Sequence, residues 1–200
     1  EWVDQRGRRE WQKGAIRDDF TRYEPHGYRD TIILRGGDYA WEPFYWRAFR
    51  YLQIEILPGP EPVTVRDARY RLCVHPQEFT AQFVSSDSDS RRIFDISLHT
   101  YRVGAHEIYD DSPYYEQLSY TADTRIEALA SFHLCNETRL PKRNLRLFLD
   151  TIRSDGLLDS RVPCQYARQT IPYFCLHWIL MLEDYWRWVG TNDLAFVREA

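Results

Sequence analysis

The feature that most constrains the fold of this chain is a single change of hydrophobic period near Asp87. Before that residue, apolar and polar side chains alternate over 52–56 and 68–74, which is the pattern of strands with one buried face. After it, apolar residues recur every three or four positions, as they do on amphipathic helices. Because the two periods do not interleave, the sequence predicts two adjoining domains of different class rather than a βαβ fold.

The first of these domains, residues 1–85, is predicted to be a portion of an antiparallel β-sandwich. Segments 31–35 and 79–84 are further strand candidates, and a Pro-Gly-Pro sequence at 58–60 indicates a turn between strands. The fold class predicted is therefore multidomain, with sandwich strands followed by a helical domain.

The second domain, residues 86–200, is predicted to be helical. Five helices are expected: one from about Asp87, one over about 124–134, one ending at Asp155-Gly156, one from about Thr170 to Gly190, and one from about Asp193. Successive helices can form a bundle, a solenoid or a toroid of hairpins, and periodicity does not distinguish these. The absence of self-similarity at about 34 or 40 residues disfavours the solenoid.

Charge and composition narrow the class of partner. The net charge of -4 argues against nucleic-acid binding, which needs clustered Lys and Arg. No run of about 18 apolar residues is present, so no membrane span is predicted. No metal is predicted, because His, Cys and carboxylate residues lack metal-site spacing, and no cofactor is predicted either. Compartment and oligomeric state stay open.

The segment from Asp110 to Asp123 contains the main cluster of candidate catalytic residues in the sequence. It holds four carboxylates in 14 residues, interleaved with tyrosines. On composition alone such a loop is more often simply solvated. A carboxyl group held against aromatic rings is partly desolvated, however, and this raises its pKa toward the range that a general acid needs; a second nearby carboxylate adds to the rise.

The order and spacing of this segment resemble the motif of glycoside hydrolase family 78, the bacterial α-L-rhamnosidases. That motif reads Asp-Cys-Pro-x-x-Glu-x-Leu-x-Trp/Tyr-x-Gly-Asp, and Glu116 and Asp123 stand five and twelve positions after Asp111, as it requires. The likeness covers roughly residues 30 to 200. Three other positions match the motif, namely Pro113, Leu118 and Tyr120. Three positions depart from the family: Ser112 replaces the usual Cys, Ala122 replaces the usual Gly, and Gln117 stands where many members have Arg.

The resemblance implies a role for each matching residue. Glu116 is the general acid that protonates the glycosidic oxygen. Asp111 and Asp123 hydrogen-bond the rhamnose hydroxyls. Tyr120 contributes to an aromatic wall around the sugar. Trp178 stands where the family has residues of that wall, although a position in the core is the more usual one for such a Trp. The implied substrate is a rhamnose-containing glycoside or oligosaccharide.

The resemblance also implies a fold and a mechanism. The helices correspond to the first part of an (α/α)6 toroid, the six-hairpin glycosidase domain. The family inverts anomeric configuration, which needs a second carboxylate to activate water. That base is expected beyond Ala200, in a longer protein of which this chain is an internal piece, and the chain alone is expected to be inactive on aryl rhamnosides.

Two alternatives stay open at this point. One is another six-hairpin glycosidase, such as one acting on α-glucosides, and the other is a non-catalytic carbohydrate-binding protein. Two neighbouring residues also have alternative interpretations: His177 lines the pocket or, more often for a His on an apolar helix face, lies in the core, and Arg125 pairs with Asp123 or has another partner.

Overall fold

The structure is a computed structural model that describes residues 28–57, 59–164 and 168–200. The described residues fall into two units, the first ending at Arg47 and the second beginning at Ala48. The described part of the first unit, residues 28–47, has no helix or strand. Within it, the Arg47 guanidinium lies 4.4 Å from the centre of the Tyr28 ring and 3.2 Å from the Asp30 carboxylate.

The predicted sandwich strands are not confirmed. Residues 28–57 and 59–87 contain no helix or strand, and apolar residues of the alternating segments are exposed, Leu52 by 70% and Tyr70 by 80%. An alternating pattern predicts a strand with one apolar face, and that face is buried only when a second layer of structure covers it. Among the described residues, nothing covers the apolar side chains of these segments. The sandwich domain over 1–85 stays a prediction, and its first 27 residues lie outside the described ranges.

The five predicted helices are confirmed in the second unit. They are α1 (Ser88–Gly104), α2 (Thr121–Cys135), α3 (Arg139–Leu149), α4 (Pro172–Val189) and α5 (Leu194–Glu199), with one 3-10 turn (Gly190–Asp193) before α5. Two short antiparallel strands, β1 (Ser119–Tyr120) and β2 (Arg161–Val162), form a small sheet. Among the described residues, no helix is long and apolar enough to cross a membrane.

The helix ends follow the sequence signals in three places. The Asp87 carboxylate accepts hydrogen bonds from the amides of Asp89 and Ser90 and so caps α1. Pro172 is the first residue of α4, and Gly190, at a φ of 59°, ends that helix. The third helix is shorter than predicted: it ends at Leu149, and the chain then turns.

The core of the helical unit is formed by α2, α3 and α4, which pack against one another. Its most deeply buried apolar side chains are Ala128 and Phe132 of α2, Leu140, Leu145 and Phe148 of α3, and Met181 and Tyr185 of α4. The ring of Phe132 also stacks on that of Trp188 with 5.4 Å between centres. Because α3 and α4 both pack against α2, its first turn is a fixed support for the segment that precedes it.

The chain before α1 is already attached to the helices. The His75 amide donates to the Ala105 carbonyl at 2.7 Å, and the amides of Thr80 and Ala81 both donate to the Leu134 carbonyl at 3.0 Å. Leu134 lies in the last turn of α2, where carbonyl groups have no partner within the helix. Residues 75–81 therefore satisfy helix ends as part of the helical unit.

Candidate active site

The acidic segment forms a closed turn between α1 and α2. The Asp111 amide donates to the Leu118 carbonyl, and inside that bridge the Gln117 amide donates to the Ser112 carbonyl, both at 2.9 Å. Gln117 has a φ of 54°, in the left-handed region, and its side-chain amide donates to the Pro113 carbonyl at 2.9 Å. Gln117 thus holds the turn that carries Glu116.

Buried hydrogen bonds anchor the segment that follows the turn. The Ser119 hydroxyl donates to Asn144 Oδ1 at 2.7 Å and lies 2.6 Å from the Thr124 hydroxyl, and all three residues are fully buried. The Thr121 amide donates to the Ser160 carbonyl at 3.0 Å. A satisfied buried network of this kind fixes one conformation. It places Asp123 in the first turn of α2, where the positive end of the helix dipole favours a carboxylate.

Asp111 and Glu116 lie within hydrogen-bonding reach of each other. Burial, followed by the hydrogen bond and the negative charge of Glu116, raises the pKa of Asp111 to about 7, against the opposing effect of the amides of Ser112 and Leu118. A hydrogen bond between two carboxyl groups requires a proton on one of them. The turn therefore holds a carboxyl pair that retains a proton near neutral pH.

The sequence predicts that Glu116 is the partly desolvated carboxyl group, but in the structure Asp111 is the more buried of the two. Glu116 is exposed and Asp111 is half-buried. Tyr114 and Tyr115 pack against each other with 4.8 Å between ring centres, and Tyr115 is 63% exposed, so this ring does not seal the turn. Alternation of carboxylates and tyrosines in sequence did not specify which carboxyl the rings and backbone would enclose.

The predicted aromatic wall begins at Tyr120. Its hydroxyl accepts a hydrogen bond from Arg161 at 3.3 Å, and its ring meets Phe174 of α4 edge to face at 6.3 Å. Tyr173 and His177 extend the cluster, and their rings lie 5.8 Å apart. His177 is half-buried, and its Nδ1 has no hydrogen-bond partner within the described ranges.

Trp178 does not join that wall. Its side chain is 7% exposed within the core, and its indole N–H donates to the Leu145 carbonyl of α3 at 3.1 Å. The ring therefore has no open face for a sugar. The core position, which the sequence had left as the more usual alternative, is the one observed. Because α4 is apolar on much of its circumference, spacing alone did not identify the face turned to α3.

Arg125 pairs across helices rather than with Asp123. Its Nε lies 2.8 Å from the carboxylate of Asp184 on α4. The guanidinium is thus committed to the contact between α2 and α4.

The carboxyl group that sequence reasoning missed is Glu127. It lies one helical turn after Asp123 on α2, and burial together with the charges of Asp123, Asp110 and Asp111 raises its pKa to about 9. Its Oε2 is buried and has no hydrogen-bond partner among the residues described. Glu127 lies outside the motif, but its spacing of four from Asp123 was a usable signal.

Asp110 is occupied by a different contact. Its buried carboxylate lies 2.7 Å from Nδ1 of His106, and its amide donates to the Gly104 carbonyl at 2.8 Å.

Across the described ranges, no group of three or more His, Cys, Asp or Glu residues could hold a metal ion. One surface cavity of about 400 Å³ lies at the start of α1, and its lining residues are Ser85, Ser86, Ser88, Arg91, Arg92 and Asp95, none of them in the acidic segment.

The five helices and the carboxyl-bearing turn all lie within a range that matches a six-hairpin glycosidase domain. The chain belongs to the family described as the bacterial alpha-L-rhamnosidase 6 hairpin glycosidase domain, which matches residues 78–199, more than half of the chain. The predicted family is thereby confirmed, and the matched range includes the whole acidic segment.

Two solved structures are similar to the chain. The glycoside hydrolase family 78 rhamnosidase of Bacillus sp. GL1 is 29% identical, with a TM-score of 0.56, over 62% of this chain and 13% of that protein. A rhamnosidase from Klebsiella oxytoca, solved with rhamnose bound, is 24% identical with a TM-score of 0.51, over 57% of this chain and 23% of that protein, a likeness that bears on the fold alone. The chain thus spans less than a quarter of either protein. No curated protein matches it.

Proposed function

We propose that the protein carrying this chain is an inverting glycoside hydrolase that releases terminal α-L-rhamnose. The observation that carries the proposal is the Asp111–Glu116 carboxyl pair, held on a hydrogen-bonded turn inside the range matched to the rhamnosidase family. The Bacillus sp. GL1 protein, a rhamnosidase, supports the choice of sugar.

In this proposal Glu116 is the general acid. It is exposed at the turn, where a glycosidic oxygen can approach it, and the carboxyl pair that it forms with Asp111 holds a proton near neutral pH. When the glycosidic bond breaks, the proton moves to the leaving oxygen and the pair becomes more negative. The closed turn between Asp111 and Leu118 keeps the two carboxyl groups together through this change.

The sugar subsite is proposed to lie between Asp111, Asp123 and Tyr120. Oδ1 of Asp111 is buried without a hydrogen-bond partner among the described residues, so a rhamnose hydroxyl can satisfy it. Asp123 is exposed one turn before Glu127, and the Tyr120 ring is braced by Phe174. Trp178 is left out of this subsite because it is buried in the core.

Inversion requires a second carboxylate that activates water, roughly 6.5 to 9.5 Å from the acid. Of the other carboxyl groups next to the pair, Asp110 is held by His106 and Glu127 is largely buried. We propose that the base lies in another part of the protein. We also propose that residues 86–200 form the first helices of an (α/α)6 toroid and that residues 1–85 belong to a preceding β-sandwich.

The proposal is tested on the protein expressed at its full length. Hydrolysis of p-nitrophenyl α-L-rhamnoside, with β-L-rhamnose as the first product in a proton NMR time course, is the expected result. The α-anomer as first product contradicts inversion, and cleavage of the α-glucoside alone contradicts the choice of sugar. Rhamnose binding without hydrolysis of any rhamnoside supports a carbohydrate-binding protein instead.

Asp123→Asn is expected to raise KM for the rhamnoside by about 10-fold or more, because hydrogen bonds to a charged group contribute roughly 1.5–3 kcal/mol. The exposed Asp150→Asn, at the end of α3, is the matched control and should leave KM unchanged. Steady-state kinetics near pH 6 measure both. An unchanged KM in the Asp123 variant removes that residue from the subsite.

A further inference from the structure

The structure leaves one buried carboxyl group beside the proposed subsite without a role. Glu127 does not belong to the motif, has no cation among the groups that shift its pKa, and has a buried Oε2 with no partner in the described part of the chain. An unpaired acceptor in such a place is costly to bury, so its presence calls for an explanation.

The surroundings of Glu127 oppose a negative charge. Its Oε1 lies 3.6 Å from the position that a Cβ on Gly104 would take, so the carboxyl occupies the space left by this glycine. Gly104 is the last residue of α1, and the carboxyl end of a helix carries the negative end of its dipole. The carbonyl oxygen of Asp110 lies 3.4 Å from the same position.

The titratable groups that face Glu127 are also acidic or neutral. Asp123 faces it from its own helix, and Tyr109, Asp110 and Asp111 face it from the chain between α1 and α2. The imidazole of His106, next to these groups in the chain, is held by Asp110. A carboxyl group in this setting has one useful property: in its protonated form it is an O–H donor next to two carboxylates.

We propose that Glu127 is a positioning residue of the active site, whose protonated carboxyl holds the carboxylates of Asp123 and Asp111 in place for the sugar. This inference rests on the proposed rhamnosidase function. Ionisation of Glu127 removes the donor and adds a charge that repels Asp123 and Asp111. Sugar binding then weakens as the pH rises, while the acid at Glu116 is not touched directly.

The experiment compares three variants of the full-length protein. Glu127→Gln keeps the shape and an N–H donor and cannot ionise, whereas Glu127→Ala removes the donor. Glu107→Gln makes the same chemical change at an exposed position near the site and serves as the control. kcat and KM for p-nitrophenyl α-L-rhamnoside are measured from about pH 5 to about pH 10, with circular dichroism confirming that each variant is folded.

The expected result is a separation of KM from kcat. Near pH 7, KM of Glu127→Gln stays within about 3-fold of wild type, and KM of Glu127→Ala rises about 10-fold with a smaller change in kcat. Above about pH 8, KM of the wild type and of Glu107→Gln rises as Glu127 ionises around its pKa of about 9, and KM of Glu127→Gln does not. A KM profile in Glu127→Gln that follows wild type, or a Gln variant as impaired near pH 7 as the Ala variant, overturns the proposal.

An infrared measurement tests the role of Glu127 independently of the proposed rhamnosidase function. The carbonyl band of a protonated carboxylic acid should be present in the wild type near pH 7 and reduced in Glu127→Gln. No difference between the two spectra overturns the role of Glu127 whatever the kinetics. A wild type that neither binds rhamnose nor cleaves a rhamnoside overturns the proposed function and the inference together, whereas an active wild type with unaltered profiles in Glu127→Gln overturns the inference alone.

Discussion

Glu116→Gln is expected to lower kcat on rhamnosides with a poor leaving group by on the order of 10³-fold, the range that general acid catalysis supplies. Gln has the shape of Glu and no proton to give. The loss should be much smaller on p-nitrophenyl rhamnoside, because that leaving group departs without protonation. Parallel kinetics of the full-length protein on an alkyl and a nitrophenyl rhamnoside measure the difference.

The same pair of substrates distinguishes Glu116 from its neighbour. Asp111→Asn is expected to raise KM and to lower both rates by similar factors, because its proposed partner is a sugar hydroxyl. If the dependence on the leaving group appears in Asp111→Asn and not in Glu116→Gln, the acid is Asp111, the member of the pair whose pKa is raised to about 7 by burial and by Glu116. Glu107→Gln, which alters an exposed carboxyl, should behave as wild type on both substrates.

Trp178→Ala is expected to destabilise the helical unit by about 3–5 kcal/mol, the usual cost of removing a large buried aromatic side chain. The substitution leaves a cavity between α3 and α4 and removes the hydrogen bond to the Leu145 carbonyl. Faster hydrogen exchange of amides in α3 and α4, read by mass spectrometry on the full-length protein, reports the change locally.

Two further substitutions separate packing from sugar binding at this helix. Trp178→Phe keeps most of the volume and loses the N–H bond, at a cost of about 1–2 kcal/mol. Trp186→Ala, at a position 48% exposed on α4, should have little effect on exchange. If Trp178→Phe leaves exchange unchanged but raises KM for the rhamnoside about 10-fold, Trp178 contacts the sugar and its assignment to the core is wrong.

Local signals determined most of the helical unit. Asp87 caps α1, Pro172 begins α4 and Gly190 ends it because each of these residues satisfies a backbone requirement within a few positions of itself. The start of α2 was predicted three residues late, since Thr121 has its amide satisfied by Ser160, a partner 39 positions away that no local rule could supply.

In the candidate site too, some features follow from local sequence and others depend on the tertiary structure. The spacing of Asp111, Glu116 and Asp123 was enough to indicate the family, because a motif is a pattern of residue types along the chain. Which carboxyl is buried depends on how the turn closes. That closure rests on hydrogen bonds of Gln117 and Leu118 and on a left-handed φ at a residue other than glycine.

The sequence by itself therefore determined the helices, the family and the carboxyl residues on which the proposed chemistry depends. Tertiary structure alone decided that Trp178 packs against α3, that Arg125 pairs with Asp184, and that Glu127 is enclosed beside Asp123. The physical reason is that the burial and charge of a side chain are set by neighbours distant in sequence. Propensity and capping act over about one helical turn.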